Sequence, residues 1–220
     1  MNSGAASPSA DHAATVPHRI LTGRVETRAY EIADAEALDA AMAANHVRLR
    51  EWMPWAWDEP QTLETRRNLL SHFRTRFEAG EDFTMGMFDR ESGALLGGTG
   101  LHPRVGPGVL EIGYWLTADA EGRGLMTEVA GALTQVALGL GLTGRVEIHC
   151  DPANTRSRAV PSRLGYVLED TRPGPAGSAD EGRATEYWAL ELARYAESPL
   201  AASPRPALAD AAGREIGWPA

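Results

Sequence analysis

The chain has 220 residues, room for one compact domain of ordinary size with tails. It is 43% hydrophobic and 23% charged, carries a net charge of −9, and draws all 21 of its basic residues from arginine. No stretch approaches the roughly 18 continuous apolar residues of a membrane span, and an acidic chain has no general attraction for nucleic acid, so neither is expected as a partner.

Residues 1–17 are rich in Ala and Ser, lack the basic start and apolar run of a secretory signal, and read as a disordered tail. Residues 19–30 carry Ile20, Leu21 and Val25 and read as a first strand. Residues 34–46 are Ala-rich with Leu38 and Met42 at helical spacing, until Trp52-Met53-Pro54-Trp55-Ala56-Trp57 interrupts. A second helix is predicted over 62–78, with Gly80 as its stop. A meander follows, with strands over 82–88, 94–102 and 109–116 and turns at 89–93 and 106–108. Residues 124–140 place Leu125, Val129, Leu133, Val136 and Leu140 on one face of a long helix. A strand over 145–150 ends on Cys150, the single cysteine, which allows no intrachain disulfide and fits a reducing cytoplasm. A short helix over 155–164 closes at Gly165, and strands over 166–168 and 185–192 flank a Pro/Gly/Ser-rich loop over 171–184. Residues 196–220 read as a flexible C-terminal tail, leaving one domain over 18–195. This order predicts an α/β (α+β) fold: a mixed, mostly antiparallel twisted sheet of six to seven strands with helices on both faces.

The segment Thr117-Ala118-Asp119-Ala120-Glu121-Gly122-Arg123-Gly124 joins the third meander strand to the long helix. A strand, a glycine-bearing turn and a helix N-terminus together make an anion site. Unpaired N–H groups point outward there, and the helix dipole adds partial positive charge. Gly122 and Gly124 let backbone approach a phosphate closely, and Arg123 adds a charged donor. The spacing alone leaves open a plain glycine turn before a helix. Neither the Walker loop nor the dinucleotide fingerprint occurs here.

Taken in order, Glu111-Ile112-Gly113-Tyr114-Trp115-Leu116, this loop, His149-Cys150-Asp151-Pro152-Ala153-Asn154-Thr155-Arg156-Ser157-Arg158 and Arg163-Leu164-Gly165-Tyr166 resemble the GNAT superfamily of acetyltransferases. With Leu49-Arg50-Glu51-Trp52-Met53-Pro54-Trp55 added, the chain looks like the RimJ/RimL branch, which acetylates protein N-termini and some small amines. The resemblance covers residues 19–192. It implies a GNAT-like fold, acetyl-CoA as co-substrate, no metal, and direct acetyl transfer to a primary amine, such as a ribosomal protein's N-terminus or a small amine. It implies that the strand over 109–116 splays from its neighbour and offers free backbone to the pantetheine arm. The cofactor site then comprises Trp115, Leu116, Thr117, Gly122, Arg123, Gly124, Leu125, Met126 and Thr127, with Asn154, Ser157 and Arg158 from the next helix. The N–H groups of Trp115 and Leu116 are the expected polarisers of the thioester carbonyl. Glu121 and Met126 depart from the loop pattern, Glu121 with the wrong sign for a phosphate. Pro161 stands where many members carry the tyrosine that protonates the leaving thiolate.

Acetyl transfer needs a neutral amine, a polarised carbonyl and a protonated leaving group. Glu111 is expected as the general base, acting through water, and Ser157 as the group that protonates or hydrogen-bonds the thiolate. Taken alone, Glu111 also reads as a solvated strand carboxylate, and Asn154 and Ser157 as helix caps. Trp52, Trp55 and Trp57 are expected to wall the acceptor pocket, Trp52 and Trp55 above all, since indoles stack on cationic amines. Glu111 and Glu186 are expected to draw the ammonium, with Asp180 and Glu181 as further candidates. His149 reads as a packed strand histidine. Two other readings stand beside the enzyme: a non-catalytic acyl-CoA-binding module, suggested by Glu121 and Pro161, and an anion-binding scaffold for another nucleotide. The acceptor and the assembly, of which a homodimer is the commonest case, stay open.

Overall fold

The computed structural model describes residues 15–173 and 182–219. A hairpin of β1 (Arg19–Leu21) and β2 (Val25–Ala29) leads into α1 (Ala35–Leu49) and α2 (Leu63–Glu78). The meander follows as β3 (Phe83–Asp89), β4 (Leu95–Gly106) and β5 (Val109–Leu116), then α3 (Leu125–Gly139) and β6 (Arg145–Cys150). The chain continues through α4 (Thr155–Leu164), β7 (Val167–Pro173), β8 (Ala184–Glu191) and α5 (Leu192–Tyr195), and closes with β9 (Ala207–Ala209) and β10 (Glu215–Ile216).

Local signals account for most of these boundaries. The Thr62 hydroxyl accepts the Thr65 N–H at 3.1 Å and starts α2. Asn154 does the same for Ser157 at the start of α4, and Gly165, in the left-handed region, ends that helix. The strands form one sheet in the order β10-β9-β1-β2-β3-β4-β5-β6-β8-β7. Every neighbouring pair is antiparallel except β5 and β6. Alternation along β3 defines the layers: Met85 and Met87 join the core under α3 and α4, whereas Phe88 joins α1 and α2 on the other face. Leu125, Val129, Leu133 and Val136 of α3 are all fully buried, as their spacing predicts.

Four expectations are corrected. Among the described residues the sheet has ten strands, not six to seven. Residues 19–30 hold two of them, because the Thr22 hydroxyl bonds the Val25 N–H at 3.1 Å and turns the chain back on itself. The expected flexible tail over 196–220 instead supplies two more strands, pairing Leu208 with Ile20 of β1. Trp218 lies against Gly139 of α3 and donates its Nε1–H to Pro206 O at 2.9 Å. A bare β1 edge would leave backbone unpaired and Ile20 uncovered, and this segment covers both. The expected N-terminal tail also stops short, since Val16 and Pro17 are buried. Residues 1–14 and the loop candidates Asp180 and Glu181 lie outside the described residues.

Candidate active site

The parallel pairing of β5 and β6 lasts for three residues, Val109 with Arg145, Leu110 with Val146 and Glu111 with Glu147. Beyond that point β5 follows β4 to Leu116 and β6 follows β8 to Cys150, so the two strands part. The edge of β5 from Ile112 onward is open backbone. Thr117 N–H donates to Leu96 O at 2.8 Å, so strand alternation turns the Trp115 N–H toward β4 and the Leu116 and Tyr114 N–H groups into the gap. Of the two donors expected on the open edge, Leu116 lies there and Trp115 does not.

One end of the gap meets the loop before α3. Gly122 and Gly124 have φ of +71° and +75°, a left-handed conformation that strains any side chain. No described side chain caps α3, so its first N–H groups face outward, while Leu125 and Met126 bury their side chains. Arg24, in the turn of the first hairpin, donates to Arg123 O at 2.9 Å and to Glu128 at 2.8 Å. Glu121 gives one carboxylate oxygen to Arg48 of α1 and the other to Arg156 of α4. Arg48 also donates to Leu116 O at 2.6 Å. The loop's wrong-signed residue is thus neutralised by arginines from two different helices.

On the side of α1 and α2, a cleft of about 780 Å3 opens between Trp52, Trp55 and the strands. Trp55 meets Trp115 edge-on at 6.2 Å. Glu111 is buried there, and both of its oxygens hold Arg104, at 2.7 and 2.6 Å. Burial pushes the Glu111 carboxyl up, but the hydrogen bonds and charge of Arg104 outweigh it and hold the group below the usual range. Next to it, His149 places Nε2 2.6 Å from Glu147 and Nδ1 3.6 Å from Glu111. His102 of β4 rests over Gly100 and Gly113, with Nδ1 2.9 Å from Asp82.

On the opposite face, Tyr114 brings its hydroxyl to 3.1 Å from Ser157 Oγ, bridging the gap from β5 to α4. Burial raises the Tyr114 phenol far above its ordinary range, with the Ser157 contact opposing. The Cys150 thiol is pushed up to about 11 by burial and by the charge of Glu186, and so stays a thiol.

The profile described as Acetyltransferase (GNAT) domain matches residues 24–167, which span the splay, the loop and both faces of the cleft. The chain belongs to the GNAT acetyltransferase family. "Putative ribosomal N-acetyltransferase YdaF" of Bacillus subtilis (strain 168) is 30% identical to it over 148 residues, 66% of this chain and 79% of YdaF. The solved structure of RimL, a ribosomal L7/L12 alpha-N-protein acetyltransferase in complex with coenzyme A, shares the fold with a TM-score of 0.70. It does so at 21% identity, over 78% of this chain and 97% of RimL. The microcin C7 self-immunity acetyltransferase MccE, in complex with acetyl-CoA and AMP, has a TM-score of 0.69 at 17% identity, over 77% of this chain and 93% of MccE.

Within this GNAT domain, Glu111, Trp52, Trp55, Trp115, Asn154 and Ser157 converge on one cleft. Trp57 turns to solvent. Glu186 does not reach the cleft: it is buried, bonded to Arg158 at 2.8 Å and to the Trp188 indole at 3.0 Å. Alternation along β8 points it inward, where a carboxylate must be paired, and Arg158 is thereby held away from a role on phosphate. Asn154 uses its oxygen as the α4 cap. His102, Asp82, Arg104, Tyr114 and Arg48 escaped the sequence reading. Counting back from the turn at 107–108 sets Arg104 opposite Glu111. A bulge between His102 and Gly106 shifts the register, so His102 takes that place and Arg104 folds over the carboxylate from the bulge. Pro103, which has no N–H for the ladder, is the one sequence signal for it.

Proposed function

We propose that this GNAT enzyme transfers the acetyl group of acetyl-CoA directly to the N-terminal amine of a protein, with ribosomal proteins as the acceptor class. The parting of β5 from β6 after Glu111 carries this reading, because it opens a passage between the two faces of the sheet beside a helix N-terminus. The residues present fit acetyl-CoA. The outward N–H groups from Gly122 to Thr127 suit a pyrophosphate, with Arg24, Arg48 and Arg156 as counter-charges. The open edge of β5 and the amide of Asn154 suit the pantetheine amides, and the Leu116 N–H suits the thioester carbonyl. The thiol end then lies beside Ser157 and Tyr114, whose paired hydroxyls supply the proton that a tyrosine at position 161 would give.

On the acceptor side, the indoles of Trp52 and Trp55 and the buried charge of Glu111 receive an ammonium. The part of the cleft between Trp52, Trp55 and the strands takes the first residues of a chain as well as a small amine, and the names of YdaF and RimL favour the former. A cytoplasmic setting accords with the single cysteine and with the ribosomal acceptor. The test is a panel of ribosomal-protein N-terminal peptides, their blocked counterparts and small amines, incubated with acetyl-CoA and read by mass. One acetyl group on a free peptide α-amine, and none on blocked peptides, is expected. Acetylation of small amines alone overturns the acceptor class, and coenzyme A binding without release from acetyl-CoA favours the non-catalytic module.

A further inference from the structure

We propose that His102 is the base that takes the proton from the acceptor ammonium, oriented for the task by Asp82; this rests on the acetyl transfer proposed above. The cleft holds several groups of the right chemistry, and their partners separate them. Both oxygens of Glu111 grip Arg104, which makes the carboxylate a poor proton acceptor. Both nitrogens of His149 face carboxylates, Nε2 that of Glu147 and Nδ1 that of Glu111. Asp151 holds Arg183 at 2.9 Å and the Ala153 N–H at 2.7 Å. His102 differs. Its Nδ1 meets Asp82, itself anchored by the Thr84 hydroxyl at 2.9 Å, while its Nε2 has no hydrogen-bond partner among the described residues.

That nitrogen lies over Gly113, at the start of the open edge of β5. A methyl group at Gly113 would stand 3.3 Å from Nε2, and one at Gly100 would collide with the ring at 2.6 Å. Two glycines thus make the berth in which the ring lies. Burial pushes Asp82 up, but His102, Thr84 and Arg76 together outweigh that and keep the carboxyl below its usual range. An ionised Asp82 accepts the Nδ1–H, which leaves the lone pair on Nε2. Arg104 and Glu111 flank the ring, with His149 beyond Glu111 and Arg76 3.8 Å from Asp82.

The two sides of the gap then divide the protons. The acceptor ammonium gives one proton to His102 Nε2, which passes it to solvent. The amine forms the C–N bond to the acetyl carbon as the C–S bond breaks. The second N–H proton is lost from the nitrogen as it acylates, and the thiolate gains one from the Ser157–Tyr114 pair on the opposite face, which the released proton restores.

The test uses the full chain and the best peptide of the acceptor panel, comparing wild type with His102→Asn and Asp82→Asn. His102→Asn should lower kcat/KM by about 10²-fold or more near neutral pH, with coenzyme A affinity unchanged. The deficit should shrink as pH rises past about 8, where the α-amine loses its proton unaided. Added imidazole should restore part of the activity of His102→Gly. Asp82→Asn should cost about tenfold and displace the limb of the pH profile, which a merely structural role would leave in place. If His102→Asn melts lower, His102→Gln carries the comparison. An active wild type with His102→Asn within about threefold of it overturns the base alone. A wild type that acetylates no amine overturns the transfer reading and the base with it.

Discussion

Glu111 and Asp82 line one cleft and bond different partners, Arg104 and His102. Both carboxyls are held below their ordinary values of 4.5 and 3.8. A depressed folded value means that their contribution to stability is fully present above those ordinary values and is lost as pH falls through the lower folded ones. The urea midpoint should therefore hold steady above about pH 5 and drop on further acidification. Glu111→Gln should lower the midpoint near neutral pH and flatten the acid limb; an unchanged limb would show that Arg104 does not hold this carboxylate. Glu111 itself was singled out by the resemblance, whereas taken alone it read as a solvated carboxylate and is in fact buried. Arg104 was not singled out, because the contact depends on a bulge whose length no local pattern specifies.

The loop between β5 and α3 gains its properties from how elements meet. Glu121 reads in sequence as a repulsive charge at a phosphate site, yet Arg48 and Arg156 reach it from helices 73 and 35 residues away. Glu121→Gln should free both arginines for phosphate and tighten coenzyme A binding or leave it unchanged, with the larger gain at low salt in calorimetric titration. A large loss of affinity would mean that the carboxylate holds the loop in shape. Gly124 makes a different demand. Its left-handed φ of +75° costs an alanine about 1–2 kcal/mol, so Gly124→Ala should lower stability by that order and weaken coenzyme A binding about tenfold. Equal affinity for wild type and variant would place the anion elsewhere than on this helix start.

At the scale of the molecule, the chain's end completes the sheet. Leu208 is fully buried against β1, and Leu200 fills the space over Gly131 of α3. Leu208→Ala should cost about 2–4 kcal/mol in urea unfolding, a core-sized penalty from a segment that reads as tail. A cost below about 0.5 kcal/mol would return the segment to the status of a loose end.

Periodicity and glycine placement alone specified the meander, the long apolar helix, the glycine turn before it and the capped helix over Thr155–Leu164. These signals are local, set by side-chain direction and backbone freedom within a few residues. The order of motifs then carried the family. Contacts distant in sequence needed the fold: the ten-strand sheet, the arginines around Glu121, the burial of Glu186, and the meeting of His102 with Asp82 over two glycines. Register, bulges and the neutralisation of buried charge belong to pairs of segments, and no single segment records its partner.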